Sequence, residues 1–349
     1  MNLAARTIEF ADWIVESMAN AIKICAEVPT KVNVRIAKEH LVFHIGDTRY
    51  IQPVMDGIYG ASPGVGIGDA ASHHDVWVAD WTTSAWLRKG LLKIFVVSPQ
   101  EQVVIERKTG LKFAVSGNPP QLRVYDPFTR FGMLVPLVPD AWLPWESGAP
   151  LKEFIRWIGS AQGAMLLHAA AVGENGRGLL IAGHGGSGKS GTALAAAKAK
   201  LEVVADDYLL FSPQPKPVAR RVFSICKQDK QGLARLDLQA SGRLNWQGKY
   251  EFNPEMLGLP PLAAELLIEG IILPYFGQAA STRIESATPR DVFLALAPNM
   301  LEQLPGDHAR TIYKLNSLAS QLPAWRVLLD ADPEENVAML RNVLDRISE

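Results

Sequence analysis

The sequence predicts two domains, a mostly β (α+β) N-terminal domain over residues 1–145 and an α/β domain over residues 146–349. Short apolar-alternating segments fill residues 30–137, a strand, glycine loop, helix and strand follow in order from about residue 165, and a proline-rich stretch separates the two textures. A chain of 349 residues, 48% of them hydrophobic, is long enough to bury a sizeable core and to divide in this way.

The formal net charge is −1 with 20% charged residues, so the chain lacks a basic footprint, and neither nucleic acid nor an anionic membrane surface is an expected partner. Cys25 and Cys226 form no CxxC pair, which argues against a disulfide framework and a zinc site and fits a reducing cytoplasm. The opening "MNLAARTIEFADWIVESMANAIKICAEV" carries Glu9, Asp12 and Glu16 inside its apolar pattern and so lacks the unbroken core of a signal peptide. No window reaches the ~18 consecutive apolar residues of a membrane-spanning helix. A cytoplasmic protein without a membrane partner is expected.

In the N-terminal domain, "KVNVRIA", "HLVFHI", "DVWVADW", "LLKIFVV", "EQVVIER", "LKFAV", "QLRVYD" and "GMLVPLV" alternate or are rich in β-branched residues, the pattern of strands. "SPGVGIGD", "KTG" and "GNPP" punctuate them as turns. The tryptophans at 77, 81, 86, 142 and 145 are read as core. "LVPDAWLPWESGAP", residues 137–150, holds three prolines and is the expected boundary. Behind it, "LKEFIRWIGSAQ" places Leu151, Phe154, Ile155 and Ile158 on one helical face.

In the C-terminal domain, "AMLLHAAAVG", "GRGLLIAG" and "LEVVADD" read as strands and "SGTALAAAKAK" as a helix, an order that builds a parallel sheet with crossover helices. A second helix is expected around "DKQGLARLDLQAS" and a core strand in "AAELLIEGIILPYF". "ATPRDVFLALAPNMLEQL" and "PEENVAMLRNVLDRISE" read as helices, the last opened by Pro333 with Glu334 and Glu335 in its first turn.

Between the second strand and the first of these helices, Gly183, Gly188, Lys189 and Ser190 satisfy G-x-x-x-x-G-K-[ST] in the context that motif requires. A loop can surround a phosphate chain with backbone N–H donors only if side chains stay clear and some residues take positive φ, which glycine permits. The helix that follows adds its positive dipole end. Gly183, His184, Gly185, Gly186, Ser187, Gly188, Lys189, Ser190 and Gly191 are therefore expected to bind a nucleoside triphosphate, Lys189 at the β- and γ-phosphates and Ser190 at magnesium.

"VVADD" ends in two carboxylates that begin 17 positions after Lys189, and strand C-termini line the ligand crevice of such sheets, so Asp206 and Asp207 should arrive beside the loop. One can serve the metal while the other accepts a proton from an incoming hydroxyl. His168, an imidazole inside the apolar "MLLHAAAV", could orient the nucleophile or an acid.

Together "LLHAAAV", "LLIAGHGGSGKSGTALAAAKAK" and "LEVVADDYLLF", with the histidine 21 positions before the loop lysine, resemble the catalytic domain of the HPr kinase/phosphorylase family, which is related by fold to the phosphoenolpyruvate carboxykinases. The resemblance covers about residues 165–211. It implies a kinase that uses ATP and Mg2+ to phosphorylate a serine hydroxyl on a small protein or peptide. It also implies Asp206 as the catalytic carboxylate at the acceptor, Asp207 and Ser190 on the metal side, Lys189 on the phosphates and His168 beside the reacting phosphate. The N-terminal domain is then the candidate for acceptor recognition. The family's glycine-rich signature after the acid pair, with its metal-binding glutamate, is absent from "SPQPKPVARRVFSICKQDKQGLARLDLQAS".

The chain looks more like the divergent members found with bacterial peptide-tailoring genes, lasso-peptide clusters included, where the acceptor is a peptide hydroxyl. The family's hexamers leave an oligomer open. Arg220, Arg221, Lys227, Arg283 and Arg290 are candidate cations for the transferring phosphate, with a solvated surface role as the plainer reading of each. Two other functions stay open: a nucleotide-dependent ATPase switch whose β domain binds a partner, and a small-molecule kinase closer to the carboxykinases.

Overall fold

The structure, a computed structural model, describes residues 3–64, 73–94, 103–106, 110–116, 118–277, 283–302 and 308–348. It is mixed α/β throughout and divides into two units, Met1–Ile158 and Gly159–Glu349.

In the first unit, helix α1 (Leu3–Glu27) precedes a hairpin of β1 (Lys31–Ile36) and β2 (Glu39–Ile45). The alternation in "KVNVRI" puts Val32, Val34 and Ile36 inside and Arg35 in solvent. Helix α2 (Ile51–Gly57), β3 (Ser62–Pro63), β4 (His73–Val78), helix α3 (Ala85–Ile94), β5 (Val103–Glu106), β6 (Lys112–Ser116), β7 (Gln121–Asp126) and β8 (Phe131–Pro136) follow. The eight strands form one sheet in the order β3-β1-β2-β4-β8-β7-β6-β5, parallel at β2–β4 and β4–β8 and antiparallel elsewhere. Ile14, Met18 and Ala21 of α1 and Leu87 of α3 join Trp77, Phe113, Phe131 and Met133 in one core.

The expected strand "LLKIFVV" is a correction. Its first four residues, 91–94, complete α3, and residues 95–97 lie outside the described residues. The segment before it, "AWLRKG", supplies good helix formers and sends Leu87 into the core, so the helical period overrides the local β-branched texture. Residues 65–69, 108–109 and 117 of the expected turns, and residues 101–102 and 107 of "EQVVIER", also lie outside the described residues. Of the tryptophans read as core, Trp77 is fully buried and Trp86 packs on the core, whereas Trp81 is 38% exposed under the Arg88 guanidinium. Helix α4 (Lys152–Ala161) follows the proline-rich stretch, and the division between units falls within it, so residues 146–158 stay with the N-terminal unit.

The second unit runs β9 (Met165–His168), β10 (Ala170–Glu174), β11 (Arg177–Ile181), α5 (Lys189–Lys198), β12 (Glu202–Ala205), β13 (Tyr208–Ser212), β14 (Val218–Arg221), β15 (Cys226–Gln228), α6 (Lys230–Arg235), β16 (Arg243–Leu244) and β17 (Tyr250–Phe252). It continues through β18 (Glu265–Tyr275), β19 (Arg283–Ser286), α7 (Pro289–Glu302), α8 (His308–Gln321), β20 (Ala324–Leu328) and α9 (Pro333–Ser348). Nine strands make one sheet: β12-β10-β11-β18-β14-β13-β9, with β20 beside the C-terminal half of β18 and β19 beyond it. Strands β15, β17 and β16 make a small separate sheet. Helix α5 is almost wholly buried, and its alanines pack with Val172, Ile181, Val203 and residues of α9.

The expected parallel sheet is mixed instead. Strands β11, β18 and β20 are parallel neighbours, but β10 runs antiparallel to both β11 and β12. The reason lies in Asn175-Gly176, which take φ of 55° and 75° and turn β10 directly into β11 as a tight hairpin, with no crossover helix between them. The single strand expected in "AMLLHAAAVG" is likewise two, broken at Ala169, because β9 pairs with β13 and β10 with β11 and β12. The helix expected in "DKQGLARLDLQAS" is confined to α6.

These connections shape the sheet. Ala169 alone joins β9 to β10, and Asp206 and Asp207 alone join β12 to β13, although each pair of strands lies far apart in the hydrogen-bonding order. The sheet must curl until its two ends meet, and both acids sit on that seam. Among the described residues no helix is long and apolar enough to cross a membrane.

Candidate active site

The loop between β11 and α5 has the form that phosphate binding requires. Gly186 and Gly188 lie at φ of 80° and 106°, in the region that favours glycine. Gly188 caps α5 without a side-chain bond, so the first-turn N–H groups keep their free donors and positive dipole end. A Cβ at Gly185 or Gly186 would meet nothing within 4 Å, whereas at Gly188 it would lie 2.3 Å from Leu329 Cδ1. The loop is thus open on one side and packed on the other.

Lys189 is 6% exposed. Its ammonium donates to the carbonyls of Gly183 at 2.7 Å and His184 at 3.1 Å, and burial lowers its pKa. The Gly183 carbonyl accepts a second bond, 3.0 Å long, from Asn299 Nδ2 on α7. The Ser187 hydroxyl is buried with no hydrogen-bond partner among the described residues. His184 is exposed, its Nδ1 2.7 Å from the Gly185 carbonyl. An unpartnered hydroxyl, uncapped amides and an ammonium held only by neutral carbonyls fit a triphosphate.

The seam supplies the acids. Asp206 is 2% exposed, and its Oδ2 accepts from the Lys227 backbone N–H at 2.9 Å while Oδ1 has no hydrogen-bond partner among the described residues. Burial, reinforced by the neighbouring Asp207 charge, pushes its carboxyl up to about 6. Asp207 is the opposite case. Burial acts to raise it, but Lys227 Nζ at 2.8 Å from Oδ2 and His168 Nε2 at 2.7 Å from Oδ1 outweigh that and hold it well below the usual carboxylate range.

His168 reaches Asp207 because Tyr208, the next residue, is its register partner across β9 and β13. The two rings stack at 5.0 Å, and His168 Nδ1 is buried without a partner among the described residues. Burial acts to lower the Lys227 pKa, but the Asp207 charge outweighs it and holds the ammonium above its ordinary value.

Loop and acids form one cluster. Both aspartates act on the Lys189 charge, and the nearby Ser190 hydroxyl eases ionisation of Asp206. Lys189, Ser190, Asp206, Asp207 and His168 are therefore brought together, with Gly191 at the start of α5 beside Gln228. The Ser190 hydroxyl and two carboxylates are the hard oxygen donors that suit magnesium. Asp207 Oδ2 meets the Lys227 ammonium and its Oδ1 meets His168 Nε2, so a metal would share an Asp207 oxygen with one of them, and the free oxygen, on Asp206, is left for an acceptor hydroxyl. Among the described residues no group of three or more His, Cys, Asp or Glu is arranged to hold a metal ion, so phosphate and water oxygens would complete such a shell.

Of the five candidate cations, Lys227 reaches the acids. Arg220 pairs with Glu265 at 3.0 Å, Arg221 bonds the Leu262 carbonyl and the Ser224 hydroxyl, Arg283 lies 3.9 Å from Glu285, and Arg290 is exposed on α7. Asn299 carried no expectation; its signal was a lone amide on the buried side of "VFLALAPNML". In comparisons with known proteins, no family model and no curated protein matches the chain.

Proposed function

We propose that the Gly159–Glu349 unit is a kinase that uses ATP and magnesium to phosphorylate a hydroxyl, that of a serine in a peptide or small protein, on a fold of the HPr kinase type. One observation carries the reading: the loop that bears Lys189 and Ser190 and the acid pair of the next strand meet, with both aspartates acting on Lys189. When bound, ATP supplies the phosphoryl group and magnesium neutralises its charge.

The chain's own residues divide the remaining work. Asp206, with a free Oδ1 and a carboxyl at about 6, is suited to accept the hydroxyl proton near neutral pH. Asp207 stays ionised and fixes His168 and Lys227 in place. Loop amides and Lys189 hold the phosphates, so positioning and electrostatics supply most of the acceleration.

The test is mass spectrometry of candidate acceptor peptides incubated with protein, ATP and magnesium, alongside calorimetry of nucleotide uptake. Asp206→Asn should lower transfer by about 100-fold or more while ATP binding persists, and Lys189→Ala should weaken binding itself. Asp206→Asn transferring at the wild-type rate, or wild-type protein that takes up no nucleotide, would sink the proposal. ADP release without a phosphorylated acceptor would favour an ATPase switch.

A further inference from the structure

Two of the three lysines near the seam are occupied. Lys189 is held by the loop carbonyls, and Lys227 is paired with Asp207. The third, Lys249, comes from the small sheet. Lys227 and Glu251 are register partners across β15 and β17, so their side chains leave the same face, and Lys249, two residues before Glu251, shares it. The bond from Asn245 N–H to the Lys249 carbonyl, 2.8 Å, carries the hairpin pairing out to that residue.

Glu251 is the nearest acid in sequence, and it is taken. Its oxygens accept from Arg243 at 2.7 Å and Asn245 at 3.2 Å. Lys249 is left partly exposed, with no hydrogen-bond or ion-pair partner for its ammonium among the described residues. The same sheet abuts the phosphate loop's helix, since a Cβ on Gly191 would lie 3.6 Å from Gln228 Nε2. Lys249 lies near enough to Lys189 for their like charges to repel. On this face Arg243 is paired with Glu251 and Lys227 with Asp207, so Lys249 is left as a cation without an acid of its own, a charge that an anion can meet.

We propose that Lys249 is a further phosphate-binding residue of this site, a free cation for the terminal phosphate of a bound nucleoside triphosphate. The inference rests on the nucleotide reading above and deepens it. Lys189, adjoining the loop backbone, serves the phosphate chain from one side, and Lys249 meets its end from the hairpin. A diphosphate would leave Lys249 without a contact.

Calorimetric titration of wild type, Lys249→Met and Lys249→Arg with ATP and with ADP, magnesium present, tests it. Lys249→Met should weaken ATP binding about tenfold and ADP binding less than about twofold, with Lys249→Arg recovering most of the loss. Lys249 is partly exposed beside a turn, so an unchanged melting temperature should show that the fold is intact. Equal losses for both nucleotides, or none, would overturn the role of Lys249 while leaving the kinase reading standing. Wild type that binds neither nucleotide would end both.

Discussion

Asp206 and Asp207 are chemically identical neighbours that the seam drives apart. Asp206 has an ordinary value of 3.8 and is raised to about 6, so the fold favours its protonated form. Its contribution to stability is complete below 3.8 and is lost as pH rises to about 6. Catalysis needs the ionised form, so the pH profile of kcat/KM should rise through an acid limb near 6 and then level. A flat profile across that range would remove Asp206 from the role of base. Asp207 has the opposite sign: its lowered pKa stabilises the fold at neutral pH, and that is lost only in strong acid.

Lys227→Met should move the Asp206 limb to higher pH, because its charge helps ionise Asp206, and should cost roughly 3 kcal/mol in denaturant unfolding by leaving Asp207 with His168 alone. The acids were legible at this scale because "VVADD" places them at a strand end. Lys227 was legible only as one of five candidate cations, since nothing in "ICKQ" distinguishes a lysine aimed at a carboxylate 20 residues away from one in solvent.

The elements explain why loop and acids meet, and they also show what local reading loses. The phosphate loop was visible because its glycines obey a backbone rule. Gly188→Ala should test that rule: at φ 106°, and with Leu329 2.3 Å from the new Cβ, the loop must shift, lowering both stability and ATP affinity. Unchanged affinity in calorimetry would mean that the loop tolerates a different backbone.

Sheet direction was less legible, although Asn175-Gly176 in "GENGRG" is a strong hairpin signal. The strand, helix, strand texture around it suggested crossovers, and a two-residue cue was outweighed by the pattern of the surrounding segments. The break at Ala169 depends on which strands pair, and pairing is non-local. Asn299 belongs here too, because α7 brings it to the loop. Asn299→Leu should leave the Gly183 carbonyl dependent on Lys189, costing about 1–2 kcal/mol of stability and weakening ATP binding as Lys189 becomes harder to release. A drop in melting temperature with no change in ATP affinity would reduce Asn299 to a structural residue.

At the scale of the whole molecule, two of the hydrophobic clusters among the described residues bear on how nucleotide should act. One core gathers α1, α3 and the eight-stranded sheet, and the other gathers α5 and α9 on the curled sheet. Every residue of the candidate site falls in Gly159–Glu349. A ligand that binds only the folded state stabilises the unit that holds it, by about 2.7 kcal/mol when present at 100 times its dissociation constant. Differential scanning calorimetry should therefore resolve two unfolding transitions, of which ATP with magnesium raises one. Lys189→Ala should abolish that shift and leave the other transition where it was. If both transitions rose together, the two units would unfold as one cooperative body.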